Sequence, residues 1–260
     1  MDLDLDGCVA IVGGASSGMG LAIARSLARE GCNVVLFARR DELLAREVAR
    51  IESDFPGSRA HAFAGDSSDP AALTQLVAET VDTFGRLDIV VNNTGGPPAG
   101  TFDDFDDAVW TAAFELTVLS AIRLTRHALP ALRRSGRGRV VNLTSSTVKE
   151  VADGLVLSNA LRPSVVGWAK DLSREEGPHG ITVNVIAPGY VDTDRLKYLY
   201  SLSEDPAVAR RTDEALIPAR RFGLPEEIGD AVAFLCSRRA DYISGTTLLV
   251  DGGLARGLLS

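Results

Sequence analysis

Between Cys8 and Ala24 the chain reads CVAIVGGASSGMGLAIA, and that stretch constrains what the remaining residues can build. Cys8-Val9-Ala10-Ile11-Val12 is a short apolar run of the kind that suits a strand buried on both faces. A glycine-rich turn follows, and Leu21-Ala22-Ile23-Ala24 then resumes at helical spacing. Glycine allows a tight turn and close backbone approach to a pyrophosphate. The helix N-terminus adds unpaired N–H groups and the positive end of a dipole. The spacing is G-x-x-x-G-x-G, at Gly14, Gly18 and Gly20. A tight strand-to-helix turn with no ligand has the same appearance, so context has to decide.

The rest of the chain supplies that context. The helix runs to about Glu30, where Gly31 ends it. A second strand follows at Cys32–Phe37, a helix at Asp41–Phe55 and a third strand at Arg59–Ala64. Asp69 as N-cap with Pro70 behind it opens a helix to about Phe84. Leu87–Val91 is the fourth strand. A long helical stretch covers roughly Asp104 to Arg134, broken near Pro130, and Arg139–Leu143 is the fifth strand. A helical pattern from about Leu155 to Glu176 leads to strand six, Ile181–Ile186. Tyr190 to Gly223 is polar and charged and reads as a lid over a substrate site. Pro225 opens another helix, and Thr246–Val250 is the seventh strand. Alternation of strands and helices over residues 1–260, with no linker or repeat, predicts a single α/β domain. Its core is a doubly wound parallel seven-stranded sheet with right-handed crossovers. Ligands of such a sheet lie beyond the carboxyl ends of its strands, where the polar turns fall.

Strand two stops at Ala38-Arg39-Arg40, which in a dinucleotide site faces the adenosine ribose. No carboxylate stands there to bind a 2′-hydroxyl, whereas Arg39 and Arg40 suit a 2′-phosphate, which favours NADP(H) over NAD(H). The competing reading is that both arginines pair with Asp41 or Glu42. A net charge of −8 without a basic block argues against nucleic acid as a partner. No apolar stretch approaches the roughly 20 residues that cross a bilayer, and the acidic Met1–Asp6 segment is unlike a targeting peptide. Cys8, Cys32 and Cys236 lack metal-ligand spacing and read as buried hydrophobes of a reducing cytoplasm. His61, His127 and His179 are scattered, and no metal site is predicted.

The chain closely resembles the short-chain dehydrogenase/reductase family over essentially its whole length. The matching stretches are Gly14-x-x-x-Gly18-x-Gly20, Asp66, Asn92-Asn93-Thr94-Gly95, Asn142-Leu143-Thr144-Ser145, Pro188-Gly189 with Thr193, and Ser244-Gly245 through Asp251-Gly252-Gly253. The resemblance implies a Rossmann fold with Ser16, Ser17 and Met19 at the cofactor phosphates. Asp66 and Ser67 would lie at adenine, and Asn93 and Gly95 near the ribose. Pro188, Gly189, Val191 and Thr193 would hold the nicotinamide end. It also implies a homo-oligomer, dimer or tetramer, that reduces a small carbonyl or oxidises an alcohol, as a 3-oxoacyl reductase does.

The family's catalytic serine is matched by Ser145. Its Tyr-x-x-x-Lys pair, the tyrosine as acid/base and the lysine at the nicotinamide ribose, is not matched. Aligned from the end of strand five, Leu155 stands for the tyrosine and Asn159 for the lysine, while Thr117 stands for the family's asparagine. The Ser145–Leu155 loop is also shorter than usual, and no tyrosine lies between Ser145 and Tyr190. Two readings stay open. In one, Lys149 supplies the proton, Ser145 polarises the substrate oxygen and Asn159 bonds the ribose. In the other, the fold binds NADP(H) without redox turnover, as a sensor, non-redox catalyst or partner subunit.

Overall fold

Burial on both faces is what makes the central strands. In the computed structural model, which describes residues 2–201 and 203–257, every residue of β1 (Val9–Gly13), β4 (Ile89–Asn92), β5 (Arg139–Leu143) and β6 (Thr182–Pro188) is buried. With β2 (Asn33–Ala38), β3 (Ala60–Ala64) and β7 (Thr247–Val250) they form one seven-stranded sheet in the order β3-β2-β1-β4-β5-β6-β7. All its pairings are parallel. Parallel strands need crossovers that cover both faces, so each face carries its own apolar core. On one side α1 (Gly18–Arg29), α2 (Asp41–Asp54) and α9 (Pro225–Cys236) bury Ile23, Leu27, Leu44, Ile51, Ile228 and Val232. On the other α3 (Pro70–Phe84), α5 (Ser120–Ser135) and α6 (Val156–Glu175) bury Leu73, Leu76, Leu124, Leu132 and Ala169.

Chain order reverses between β1 and β4, and the polar turns after β1, β4 and β5 meet there. Asp69 accepts from the Ala71 N–H and Pro70 opens α3, as the sequence predicts. The three cysteines are free and buried in one core.

Two expectations are corrected. The helical stretch after β4 does not break at Pro130. It consists of α4 (Asp107–Phe114) and α5, joined by a π-helical turn at Glu115–Leu119, and Pro130 sits inside α5. Proline deprives the Arg126 carbonyl of its partner, but both residues are exposed, so water can replace that bond. The second concerns length: the 29-residue helical run Asp107–Ser135 is long and apolar enough, by length and composition alone, to cross a membrane. Its Leu124, Ala128 and Leu132 are instead core residues against the sheet. The lid region holds two helices the pattern did not reveal, α7 (Asp194–Ser201) and α8 (Pro206–Leu216). The Phe222 ring stacks on Tyr190 and on Tyr200 of α7, with the Arg210 guanidinium of α8 4.7 Å from its centroid.

At the amino ends of the strands a fully buried carboxylate, Asp88, gathers four hydrogen bonds. It accepts from the Val9 N–H at 2.8 Å, twice from Arg86 at 2.7 and 2.8 Å, and from Ser135 Oγ at 2.7 Å. Asp88→Ala strands the buried Val9 N–H, while half-exposed Arg86 can return to water. We expect urea denaturation to show a loss of about 2–3 kcal/mol, with ligand affinity at the opposite end unchanged.

Candidate active site

The turn after β1 is shaped by the turn after β4. Asn93 Nδ2 donates to the Gly13 carbonyl at 3.0 Å. A Cβ on Gly13 would collide with the Asn93 carbonyl, and one on Gly20 with the Gly14 carbonyl. Gly14 and Gly18 both take positive φ, at 60° and 58°. The loop is thus closed by backbone-to-backbone contact and leaves the N-terminus of α1 facing outward.

Arg40 lies across this loop, its Nη2 donating to Ser16 Oγ at 2.9 Å and to Ser17 Oγ at 3.0 Å. Neither arginine at the end of β2 forms an ion pair with Asp41 or Glu42 among the described residues. Arg39 is exposed and Arg40 is the one turned towards the helix start. A guanidinium beside two hydroxyls and a helix N-terminus is a cradle for phosphate oxygens. Met19 is half-buried and packs against the core. Asp66 accepts from the Ser68 N–H at 2.8 Å, and Ser67 lines the cleft. Gly95 is exposed. Pro188 ends β6, and Gly189 packs against Asp251, whose Cα is 2.9 Å from where a Cβ would stand. Val191 bridges to Gly223, and the Thr193 side chain lies beside Gly18.

The cleft itself opens where β1, β4 and β5 end. Gly13, Asn92, Asn93, Thr117, Asn142, Thr144 and Arg162 are among the residues that line it. Three polar atoms buried in its wall have no hydrogen-bond partner: Thr117 Oγ1, Asn92 Oδ1 and Asn142 Nδ2. Thr117 falls within the π-helical turn, a distortion common where a helix re-aims a functional side chain. Buried polar groups without partners are costly in a folded chain, so their presence marks a place for water or ligand.

Helix α6 presents a different pair from the one the alignment selects. Leu155 precedes the helix, tied by a bridge to Gly100, and makes no contribution to its inward face. Asn159 is turned to the loop, where its Oδ1 accepts from Ala152 N–H at 3.1 Å and its Nδ2 donates to Ala152 O at 2.9 Å. Both ends of its amide are occupied by the backbone of one residue. Arg162 and Val165 are the α6 residues that line the cleft, and Ser158, one turn before Arg162, is buried beside it. Arg162 Nε donates to Ser158 Oγ at 2.9 Å, and Thr147 Oγ1 is 3.4 Å from the same hydroxyl. Burial first, then the Arg195 guanidinium, lowers the Arg162 pKa from 12.5 to about 10, so it remains a cation at neutral pH.

Ser145 follows the cleft-lining Thr144, and its Oγ accepts from the Thr147 N–H at 3.3 Å as cap of a short turn. Lys149 ends that turn, half-buried, its N–H donating to the Ser146 carbonyl at 2.9 Å. The histidines lie elsewhere: His61 pairs with Glu79 at 2.6 Å and His127 contacts Thr74 at 3.3 Å. No cluster of metal-ligating side chains occurs among the described residues.

Comparison with known proteins extends this picture. Residues 14–255 match the family model described as enoyl-(acyl carrier protein) reductase. The chain is 34% identical to the 3-oxoacyl-[acyl-carrier-protein] reductase of Escherichia coli, over 97% of this chain and 99% of that protein. The L-sorbose reductase of Gluconobacter frateurii, solved with NADPH and L-sorbose, superposes with a TM-score of 0.94 at 32% identity, covering 99% of this chain and 100% of that one. An NADPH-dependent reductase involved in bacilysin biosynthesis gives 0.93 at 28% identity, covering 96% and 99%.

The clamp on Ala152 generates its own test. Asn159→Ala should cost about 1–2 kcal/mol, two neutral hydrogen bonds in a half-buried setting. Hydrogen exchange at the Ala152 amide should rise at least tenfold while NADPH affinity stays within twofold. A large loss of NADPH affinity would instead put Asn159 at the cofactor.

Proposed function

This chain belongs to the short-chain dehydrogenase/reductase family, and from that premise we propose that it is an NADP(H)-dependent oxidoreductase of a small carbonyl or alcohol substrate. The observation that carries the cofactor choice is Arg40 spanning Ser16 and Ser17 at the glycine loop. The site residues fit the group: glycines at 13, 14, 18 and 20 keep the turn tight, Ser16 and Ser17 offer hydroxyls, and Arg40 forms no ion pair among the described residues. When bound, NADPH supplies a hydride to the carbonyl carbon. Asp66 and Ser67 would hold the adenine end; Asn93 and Gly95 the ribose; Pro188, Gly189, Val191 and Thr193 the nicotinamide end. The similarity to reductases of a 3-oxoacyl group and of L-sorbose supports a ketone as the substrate class, with residues 190–223 as the lid above it. A homo-oligomer in an aqueous, reducing compartment belongs to the same proposal.

On the protein side, we place Ser158 and Arg162 on the helix face that the family's Tyr-x-x-x-Lys uses. The spacing of four residues is the same, Arg162 lines the cleft, and the Ser158 hydroxyl is hydrogen-bonded to it. Ser158 and Ser145 are hydroxyl donors for a developing alkoxide. Arg162 polarises Ser158 through its Nε and holds positive charge beside the cleft. A serine hydroxyl is a poor acid at neutral pH, so the proton has to come from elsewhere, and Lys149 is the ammonium nearest Ser145 along the chain. That lack of an acid titrating near pH 7 in the cleft wall is also what favours the second reading, cofactor binding without turnover. NADPH oxidation across a panel of ketones separates the two: binding with no oxidation by any ketone supports the second.

Two variants sharpen the first reading. Arg40→Ala should weaken NADPH by about 1.5–3 kcal/mol, the worth of a hydrogen bond to a charged group, and NADH far less. Arg39→Ala should have the smaller effect, and calorimetric titration with both cofactors decides. Lys149→Met should leave NADPH affinity in place and slow turnover by roughly 10²–10⁴-fold, the range of general acid–base catalysis. Turnover at the wild-type rate would remove Lys149 from the mechanism.

A further inference from the structure

Two arginines converge on the outer side of the cleft without a carboxylate between them. Arg195, on α7 of the lid, donates to the Gly96 carbonyl at 3.0 Å and to the Pro97 carbonyl at 3.1 Å. Arg162 reaches the same place from α6. The point where a Cβ on Gly96 would stand lies 3.4 Å from Arg162 Nη2 and 3.3 Å from Arg195 Nη2. Both Nη2 atoms therefore lie within 3.4 Å of one point beside Gly96, near enough to each other for the two oxygens of one ligand group to meet both. Among the described residues neither arginine takes part in an ion pair, although the chain carries a surplus of carboxylates. Arg162 donates only to the neutral Ser158 hydroxyl and, at 3.5 Å, to the Leu143 carbonyl.

Keeping a desolvated cation beside a second cation is unfavourable twice over, through lost hydration and like-charge repulsion. An anion that visits the site relieves both. The fork of a guanidinium also matches the two oxygens of a carboxylate. We propose that Arg162 and Arg195 form a binding subsite for a carboxylate on the substrate, so that the substrate class is an oxo acid or its hydroxy-acid product. The inference rests on the reductase reading above, because the subsite borders the cleft where that reading seats the carbonyl. The phosphate cradle at Ser16, Ser17 and Arg40 lies at the turn after β1, a separate place from the turn after β4 that holds Gly96. The lid then has a defined role: α7 brings Arg195 onto the β4 turn, and an acid bridging the two arginines would hold it closed.

The test reads binding without requiring turnover. The protein–NADP+ complex is titrated calorimetrically with pyruvate, acetoacetate, phenylpyruvate and 3-oxooctanoate, each beside its methyl ester. At least one acid should bind 10-fold or more tightly than its ester. Arg195→Gln should abolish that preference while NADPH affinity stays within twofold, and Arg195→Lys should retain part of it. Arg195 is exposed, so its variants test the idea even where Arg162→Gln fails to fold. Esters binding as tightly as their acids, or an acid preference that survives Arg195→Gln, would overturn the subsite. So would Arg162→Gln weakening NADPH more than 10-fold with the acid preference intact, which would make Arg162 a cofactor ligand. Acids bound with preference yet never reduced by NADPH would uphold the subsite and count against the reductase reading. Esters reduced as well as acids would do the reverse.

Discussion

One hydrogen bond, from the Asn93 amide to the Gly13 carbonyl, expresses the constraint that the site depends on. The turns after β1 and β4 touch backbone to backbone, at a distance that admits no Cβ at Gly13. The parallel sheet imposes this contact, because β1 and β4 are neighbours whose following helices leave to opposite faces. The contact opens the crevice, exposes the start of α1 and places Asn92, Asn93 and Asn142 along one wall. Everything chemical in the molecule is arranged around that split.

The wall is unusual in what it lacks. Its hydrogen-bonding groups are amides, hydroxyls and one guanidinium, with three buried polar atoms unpartnered. Such a surface can orient a carbonyl and stabilise negative charge on its oxygen, but it holds no group that exchanges a proton easily near neutral pH. The positive charge of Arg162 therefore has two uses in this account. It polarises Ser158 from one side, and with Arg195 it offers an anion a place from the other. Both follow from the position of a single side chain on α6.

Strand positions, helix order, the Asp69–Pro70 cap and the glycine turn were legible in the sequence, because each has a local cause: burial on two faces, a missing donor, a positive φ. Pro130 misled because the cost of a helical proline depends on whether its freed carbonyl is wet, which no local pattern reveals. The register of α6 is less legible. Counting forward from Ser145 selects Leu155 and Asn159, whereas the Asn159 amide is bonded to Ala152. Counting backward from the apolar face would have selected differently. Val165 and Ala169 are buried four apart, and the same helical stripe extends back through Arg162 and Ser158. The signal was present, but an arginine at a core-facing position reads as surface until packing shows otherwise. Arg195 and its meeting with Gly96 join segments 99 residues apart and had no sequence signature at all.

Whether this arrangement performs hydride transfer is decided most directly by isotope tracing. The protein is incubated with an oxo acid and NADPH carrying deuterium at one or the other nicotinamide C4 position, and the recovered alcohol is examined by NMR. One of the two labelled cofactors is expected to deliver a single deuterium to the former carbonyl carbon. Full retention of label in both cofactors, under conditions where calorimetry shows NADPH and the acid bound together, would contradict it.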